Sequence, residues 1–193
     1  IAGVVGKIAS PAIRGSASVV GNIAQGWSVS DVVPLFAACG AQLRVLGPSG
    51  ERRVAVVEYA SQPRNAALKP GELITAAELP AAGPDFRLSY ERFSFREAFD
   101  LPLVSVAVGA SIRGSVFTDV RIAVVGGCSM PARCAQAEAA LSGRSNDEGT
   151  ADKAAAAVAD WATPVSDFRA SADYRRELVK VMLRRALAKL RLQ

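Results

Sequence analysis

Histidine is absent from the sequence of 193 residues, and sulfur-containing and aromatic residues are few: three cysteines, two methionines and 6% aromatic residues. Without histidine, the chain cannot form a Ser-His-Asp or Cys-His nucleophile, a histidine general base or a histidine-ligated metal site. We therefore expect no catalytic side chain and no bound metal ion. Any chemistry must come from a cofactor or from a partner chain.

The three cysteines, Cys39, Cys128 and Cys134, form no CxxC pair. The six-residue spacing of the last two fits neither a zinc ribbon nor an iron–sulfur site. Two interpretations remain, structural thiols in a reducing cytoplasm or a disulfide between Cys128 and Cys134. We favour the structural thiols.

Long apolar runs are also missing. No stretch reaches the roughly 18 uninterrupted apolar residues of a membrane-spanning helix, whereas an apolar content of 50% is ample for a globular core. The sequence begins at Ile1 without a methionine and without a basic segment ahead of an apolar run. We expect a cytoplasmic protein with no membrane partner, or a soluble fragment of one.

Positive charge is concentrated near the C-terminal end. Residues 173–193 carry seven basic and two acidic side chains, a balance of +5 that equals the net charge of the whole chain. The segment is amphipathic, and Ser171 stands where a helix N-cap is expected. Two interpretations are possible. The segment is a helix whose basic face binds nucleic acid or a membrane surface, or it is a packed helix with a solvated outer face. We favour the packed helix and predict no nucleic-acid partner, because no aromatic residues alternate with the arginines.

The hydrophobic pattern predicts an α+β fold in two domains, divided at Pro84. Residues 1–84 mix short helices with antiparallel strands. The expected elements are a helix that ends before Pro11, a helix capped by Ser30 or Asp31 and ended by Gly40, a hairpin from Leu43 to Val57 around the turn 47–50, and a strand over 73–80.

Residues 85–193 are expected to form a three-stranded antiparallel sheet packed with helices. Apolar and polar residues alternate in three strands, Phe86 to Tyr90, Val104 to Ile112 and Val120 to Val125. Helical patterns follow over Pro131 to Leu141, Thr150 to Trp161 and Asp173 to Leu192.

Residues 14–22 form a turn-rich segment that contains Gly15 and Gly21. Its small side chains would leave several backbone N–H groups open to an anion such as a pyrophosphate. A plain tight turn is the alternative. For the segment alone it is the simpler interpretation, because neither a GxGxxG motif nor a P-loop lysine is present.

The same segment resembles a known family once the residues after it are considered. Ile13 to Ile23, followed by Asp31 and Pro34, is similar to the second phosphate-binding signature of the FAD-binding subunits of molybdenum hydroxylases. That family includes xanthine dehydrogenases, carbon monoxide dehydrogenases and aldehyde oxidases. Three further stretches agree in order, 41–53, 68–74 and 167–176. The resemblance covers nearly the whole chain and is strongest to the xanthine dehydrogenase branch.

The resemblance implies an oxidoreductase subunit that works within a larger complex. In this family, substrate is oxidised at a molybdenum-pterin centre on a large subunit, and electrons cross [2Fe–2S] clusters on a small subunit. FAD on the third subunit then passes them to NAD⁺ or oxygen, so the cofactor supplies the chemistry and the protein supplies binding. The alternative is a non-catalytic interaction or assembly module that has lost FAD binding.

The resemblance also implies which residues bind FAD. The pyrophosphate and neighbouring atoms are held by a run of five residues: Ser18, Val19, Val20, Gly21 and Asn22. Asp31 matches a carboxylate that hydrogen-bonds the cofactor, and Ile74 matches an apolar residue near the flavin ring. Arg92 stands in for a lysine near the flavin, and the neighbouring Glu91 departs from the pattern.

Two departures bear on cofactor binding. Val20 stands where the signature has the first of two glycines, and a β-branched residue would be strained there if the position needed a positive φ. The family also has an earlier subdomain with its own phosphate-binding loop, whereas only 13 residues precede Arg14. We therefore expect this chain to hold half of the FAD site.

Overall fold

A computed structural model describes residues 1–63, 67–96 and 100–191 of the chain. It contains a three-stranded and a four-stranded sheet, both antiparallel, together with helices. The predicted α+β class is therefore confirmed. The three cysteines are free thiols, as we favoured, and Cys39 and Cys134 are buried.

The first part of the chain places short helices before a small sheet. The helices are α1 (Ala2–Val5), α2 (Pro11–Ser16), α3 (Val19–Ala24) and α4 (Val32–Ala38). The sheet has the order β2-β1-β3 and is built from β1 (Gln42–Gly47), β2 (Gly50–Ala55) and β3 (Leu73–Glu78), with α5 (Val56–Ala60) after β2. Alternate residues of β1 point into a core that α3, α4 and α5 complete; its most buried members are Ile23, Leu35, Leu43, Val45 and Val56.

Two segments of this part differ from the expectation. Residues 14–22 are not an open turn but belong largely to α2 and α3, because the side chains of Ser10 and Ser18 each cap a helix. Val56 begins α5 instead of ending a strand. Its side chain is fully buried in the first core, and this packing outweighs the strand preference of a β-branched residue.

The second part is a sheet with the order β4-β5-β6-β7. Its strands are β4 (Phe86–Phe93), β5 (Val104–Arg113), β6 (Val116–Val125) and β7 (Ala132–Arg133). The two-residue β7 adds a fourth strand to the predicted three, so the helix expected from Pro131 starts later. The helices are α6 (Ala135–Leu141), α7 (Glu148–Trp161) and α8 (Ala172–Leu190), and the predicted end at Leu192 lies outside the described residues.

Helix α8 packs its apolar face on the second sheet, where Leu178, Met182 and Leu190 are buried. The Ser171 hydroxyl accepts a hydrogen bond from the Tyr174 N–H (3.2 Å), which confirms the predicted cap. Four basic side chains of the outer face pair with acidic ones: Arg176 with Asp173, Lys180 with Glu177, Arg184 with Asp152 and Lys189 with Glu91. The packed-helix interpretation therefore describes α8.

The second sheet lies between α8 on one face and α4 on the other. On the α4 side the contact is very close at Gly109 of β5. A Cβ atom at this position would lie 2.1 Å from the carbonyl oxygen of Ala38 and would collide with it. At the other end of α4, Asp31 contacts Tyr90 and Arg92 of β4, where the candidate site lies.

Candidate cofactor-binding site

The start of α3 presents backbone N–H groups, although it is a helix and not the loop we expected. The Ser18 hydroxyl accepts the Gly21 N–H (2.9 Å), and the Ser18 carbonyl accepts the Asn22 N–H (3.0 Å). Among the described residues, the N–H groups of Val19 and Val20 have no hydrogen-bond acceptor. Two donors at the positive end of a short helix are therefore open to an anion.

Val20 is not strained at this position. It lies in the first turn of α3 with helical backbone angles, and the described non-glycine residues with positive φ are Ala9, Ser115 and Asp119. The condition for strain, a positive φ at this position, is therefore not met. The glycine that matters here is Gly21, because a Cβ atom there would lie 2.9 Å from the Ser18 hydroxyl and disturb the cap.

Ser30 links α3 to α4. Its hydroxyl donates to Asn22 Oδ1 (2.6 Å) and accepts the N–H groups of Val32 (3.2 Å) and Val33 (3.3 Å). Of the two predicted caps, Ser30 provides the side-chain cap, whereas Asp31 occupies the N-cap position without a side-chain hydrogen bond to the helix. The Asp31 carboxylate is thus free to bind elsewhere.

That carboxylate binds two residues of β4. The Tyr90 hydroxyl donates a short hydrogen bond to Asp31 Oδ1, and Arg92 Nη1 lies 3.3 Å from Asp31 Oδ2. Arg92 Nη2 also donates to the carbonyl oxygen of Asp100 (2.6 Å). Asp31 is only 6% exposed, so the three side chains form a largely buried cluster that joins the first core to the second sheet.

Burial governs the electrostatics of this cluster. It raises the pKa of the Asp31 carboxyl, and the Tyr90 hydrogen bond and the Arg92 charge act in the opposite direction. Burial and the neighbouring carboxylate raise the pKa of Tyr90 well above its usual value, so its hydroxyl stays protonated as a donor. The Arg92 guanidinium provides the compensating positive charge.

Successive side chains of β4 point to opposite faces of the sheet, so two neighbouring residues cannot both face the candidate site. Tyr90 and Arg92 point toward α4, whereas Glu91 points to the opposite face and pairs with Lys189 of α8. The departure at Glu91 therefore brings no negative charge to the candidate site. Arg92 Nε is buried and has no hydrogen-bond partner among the described residues.

Three of the predicted site residues lie in one hydrogen-bonded region, and Ile74 lies on the neighbouring strand β3. Asn22, Asp31 and Arg92 are connected through Ser30 and the backbone into one hydrogen-bonded region. Ile74 is half-buried on β3 and packs on the first core, and α3, which carries Val19 to Asn22, packs against that strand.

Sequence reasoning missed Tyr90, which is the direct hydrogen-bond partner of Asp31. One signal was present: Tyr90 stands two residues before Arg92 in an alternating strand, so both side chains share one face. A tyrosine on a buried strand face needs a partner for its hydroxyl. The sequence could not say that this partner is 59 residues away.

Comparisons with known proteins show the family to which the chain is similar. A family model for the CO dehydrogenase flavoprotein C-terminal domain matches residues 89–190, and one for the FAD binding domain in molybdopterin dehydrogenase matches residues 1–82. The chain is 32% identical over 180 residues to the carbon monoxide dehydrogenase medium chain of Afipia carboxidovorans, covering 93% of this chain and 62% of that relative. It is 25% identical over 183 residues to the xanthine dehydrogenase FAD-binding subunit of Escherichia coli, covering 94% of this chain and 63% of that subunit.

A solved structure gives the same result. CO dehydrogenase from Oligotropha carboxidovorans superposes with a TM-score of 0.89 at 31% identity, over 96% of this chain and 65% of the matched chain. The chain therefore belongs to the family of FAD-binding subunits of molybdenum hydroxylases. It spans somewhat less than two thirds of the length of these relatives. In the described part of the chain, no helix is long and apolar enough to cross a membrane.

Proposed function

We propose that the chain is part of the FAD-binding subunit of a cytoplasmic molybdenum hydroxylase such as a xanthine dehydrogenase. In this proposal, an iron–sulfur subunit and a molybdopterin-binding large subunit are its partners. FAD, when bound, supplies the transfer of electrons from [2Fe–2S] clusters to NAD⁺ or oxygen. The observation that carries the proposal is the pair of open N–H groups at the start of α3, next to the cluster around Asp31.

The residues present fit a dinucleotide. The Val19 and Val20 N–H groups would donate to the pyrophosphate, and Ser18 and Gly21 keep the first turn of α3 in place. Asn22 lies one turn into the same helix, with its Oδ1 held by Ser30.

At the flavin end of the proposed site, Arg92 would contribute its positive charge. A guanidinium is suited to stabilise negative charge on a bound group. Asp31 would act largely through Arg92, because both of its oxygens are engaged by β4. Ile74 would contribute an apolar contact near the flavin ring.

One observation favours the alternative of an interaction or assembly module without FAD. The Asp31 carboxylate, which the family resemblance places on the cofactor, is buried and already bound by Tyr90 and Arg92. A chain that had lost the cofactor would keep such a cluster for stability alone. Cofactor binding by the chain itself therefore separates the two functions.

The experiment is a fluorescence titration of the chain with FAD, with ADP and adenosine as competitors. We expect reversible binding that ADP reduces and adenosine does not, because the N–H groups of α3 contact the pyrophosphate. We also expect no stoichiometric FAD after purification, since contacts made by the rest of a longer subunit would be lacking. A chain that shows no FAD binding in the titration would support the alternative.

A matched pair of variants tests the backbone N–H donors at the start of α3. Val19→Pro removes one N–H at the first helical position, where proline is tolerated, and the extended Ser18 (ψ 153°) is compatible with a following proline. Val19→Ala keeps the N–H. We expect Val19→Pro to weaken FAD binding about tenfold or more relative to Val19→Ala, because a hydrogen bond to a charged group is lost. Equal affinities would remove the start of α3 from the site.

A further inference from the structure

Tyr90 makes a contact that packing of its ring alone does not explain. Its ring is half-buried and packs on the first core, while its hydroxyl reaches across to Asp31. A phenylalanine would fill the same space. The hydroxyl therefore needs an explanation beyond packing, and its partner is a carboxylate that in turn holds a guanidinium.

We propose that Tyr90 is a positioning residue of the cofactor site: its hydroxyl anchors one oxygen of Asp31, so that the other oxygen holds the Arg92 guanidinium in place. This role rests on the proposed function. Tyr90 touches no cofactor atom in the proposal and acts through its two neighbours.

The geometry explains why an anchor is needed. Asp31 stands at the N-cap of α4, but Ser30 satisfies the helix N–H groups, so no helical hydrogen bond orients the carboxylate. Tyr90 Oη fixes Oδ1, which leaves Oδ2 directed at Arg92 Nη1. The Asp100 carbonyl holds Nη2, so two of the three guanidinium nitrogens are occupied and Nε is left.

The elements packed around α4 bring no other charge to Asp31 among the described residues. Ser105 of β5, opposite Arg92, is a neutral hydroxyl, and α3 contributes Asn22 through Ser30. The nearest cation of β6, Arg121, lies against Gly40 at the far end of α4. On α5, the Tyr59 hydroxyl donates to the Ala24 carbonyl instead. Besides burial, the ionisation of Asp31 is therefore controlled by Tyr90 and Arg92.

Tyr90→Phe tests the influence of Tyr90 on the ionisation of Asp31, measured as the pH dependence of the free energy of unfolding. Burial already disfavours the charged carboxylate, and loss of the hydroxyl removes a donor that stabilises it, which raises the pKa of Asp31 further. A carboxyl whose folded-state pKa is raised loses stability as the pH rises past its unfolded value. The variant should therefore be destabilised more at pH 8 than at pH 4.

The expected loss at pH 8 is roughly 10- to 100-fold in the folded-to-unfolded ratio, the usual consequence of a buried charged group losing a donor. It should shrink steadily toward pH 4. Tyr59→Phe is the matched control, because it removes a hydroxyl that binds a carbonyl oxygen, and its loss should not change over this range. In an Asp31→Asn background, Tyr90→Phe should also lose its pH dependence.

FAD titration at pH 8 supplies the second readout. We expect Tyr90→Phe to bind FAD about tenfold or more weakly than the wild-type chain, and Tyr59→Phe to bind it equally well. If Tyr90→Phe costs the same stability at pH 4 and pH 8, or leaves FAD affinity unchanged, Tyr90 does not position the site. If the wild-type chain itself binds no FAD, the proposed function fails, and this role fails with it.

Discussion

The buried arginine of α8 gives a quantitative test of the second core. Arg175 is only 4% exposed, and its Nη1 donates to the Leu103 carbonyl at the start of the second sheet (2.8 Å). Its Nη2 lies 2.7 Å from Asp167 Oδ1 in the loop before α8. Arg175→Met keeps the apolar stem and removes the guanidinium, so it isolates the polar contacts.

The size of the stability loss in Arg175→Met follows from the groups that lose their partner, the Leu103 carbonyl and the Asp167 carboxylate. A buried carbonyl without a donor costs about 1–3 kcal/mol, and removal of one partner from a buried ion pair costs about 3–5 kcal/mol. Asp167, however, is 33% exposed and still accepts the N–H groups of Arg169 and Ala170. The total loss is therefore expected near the lower end of the ion-pair range, at about 3 kcal/mol.

Urea unfolding measures this loss directly, and a thermal scan should show a decrease in Tm of roughly 6–12 °C for a chain of this length. Arg176→Met is the matched control, because Arg176 is the next residue in α8 and pairs with Asp173, whose side chain is 93% exposed. We expect the control to stay within about 0.5 kcal/mol of wild type. An Arg175→Met loss below about 1 kcal/mol, or an equal loss in the control, would refute this account of the second core.

Three further outcomes are expected. Val20→Gly should lose about 0.5–1 kcal/mol of stability in a urea titration, because Val20 is helical and unstrained; a gain would restore the idea of strain. Hydrogen bonds from Arg52 and from the Lys69 N–H lower the pKa of Glu72 to about 2. The stability advantage of wild type over Glu72→Gln should therefore be full above pH 4.5 and vanish toward pH 2. A stability difference that stays constant over this pH range would contradict this. Met182→Ala should cost about 2–5 kcal/mol and Arg184→Ala less than about 1 kcal/mol, and salt-sensitive binding of duplex DNA that requires Arg184 would defeat the packed-helix interpretation of α8.

Much of the second sheet and α8 could be predicted from the sequence. The alternation in β4, β5 and β6 is a local signal with a period of two. The cap of α8 is equally local, since Ser171 and the Tyr174 N–H are three residues apart. Such features depend on neighbours in the chain, which a pattern can report.

Features that depend on distant packing could not be predicted. Strand β7 exists because Ala132 and Arg133 pair with Val124 and Ala123 of β6, and two residues give no periodic signal. The helices α2 and α3 are six residues each, too short for periodicity to distinguish them from turns. Their serine caps were visible, but Gly15 and Gly21 in the same segment indicated turns more strongly.

Asp31 shows how such a distant contact changes the interpretation of a site. From the family resemblance it is a cofactor ligand in a loop, so its loss would affect binding and leave the fold intact. The structure buries it against Tyr90 and Arg92, residues 59 and 61 positions away, so it also joins the first core to the second sheet. Replacement by alanine would leave Arg92 without its counter-charge and the Tyr90 hydroxyl without its acceptor, and both losses destabilise a buried cluster. Weaker FAD binding in that variant would therefore not identify Asp31 as a ligand. Tyr90→Phe keeps the carboxylate and removes only its anchor, so its FAD affinity can be compared with its loss of stability at the same pH.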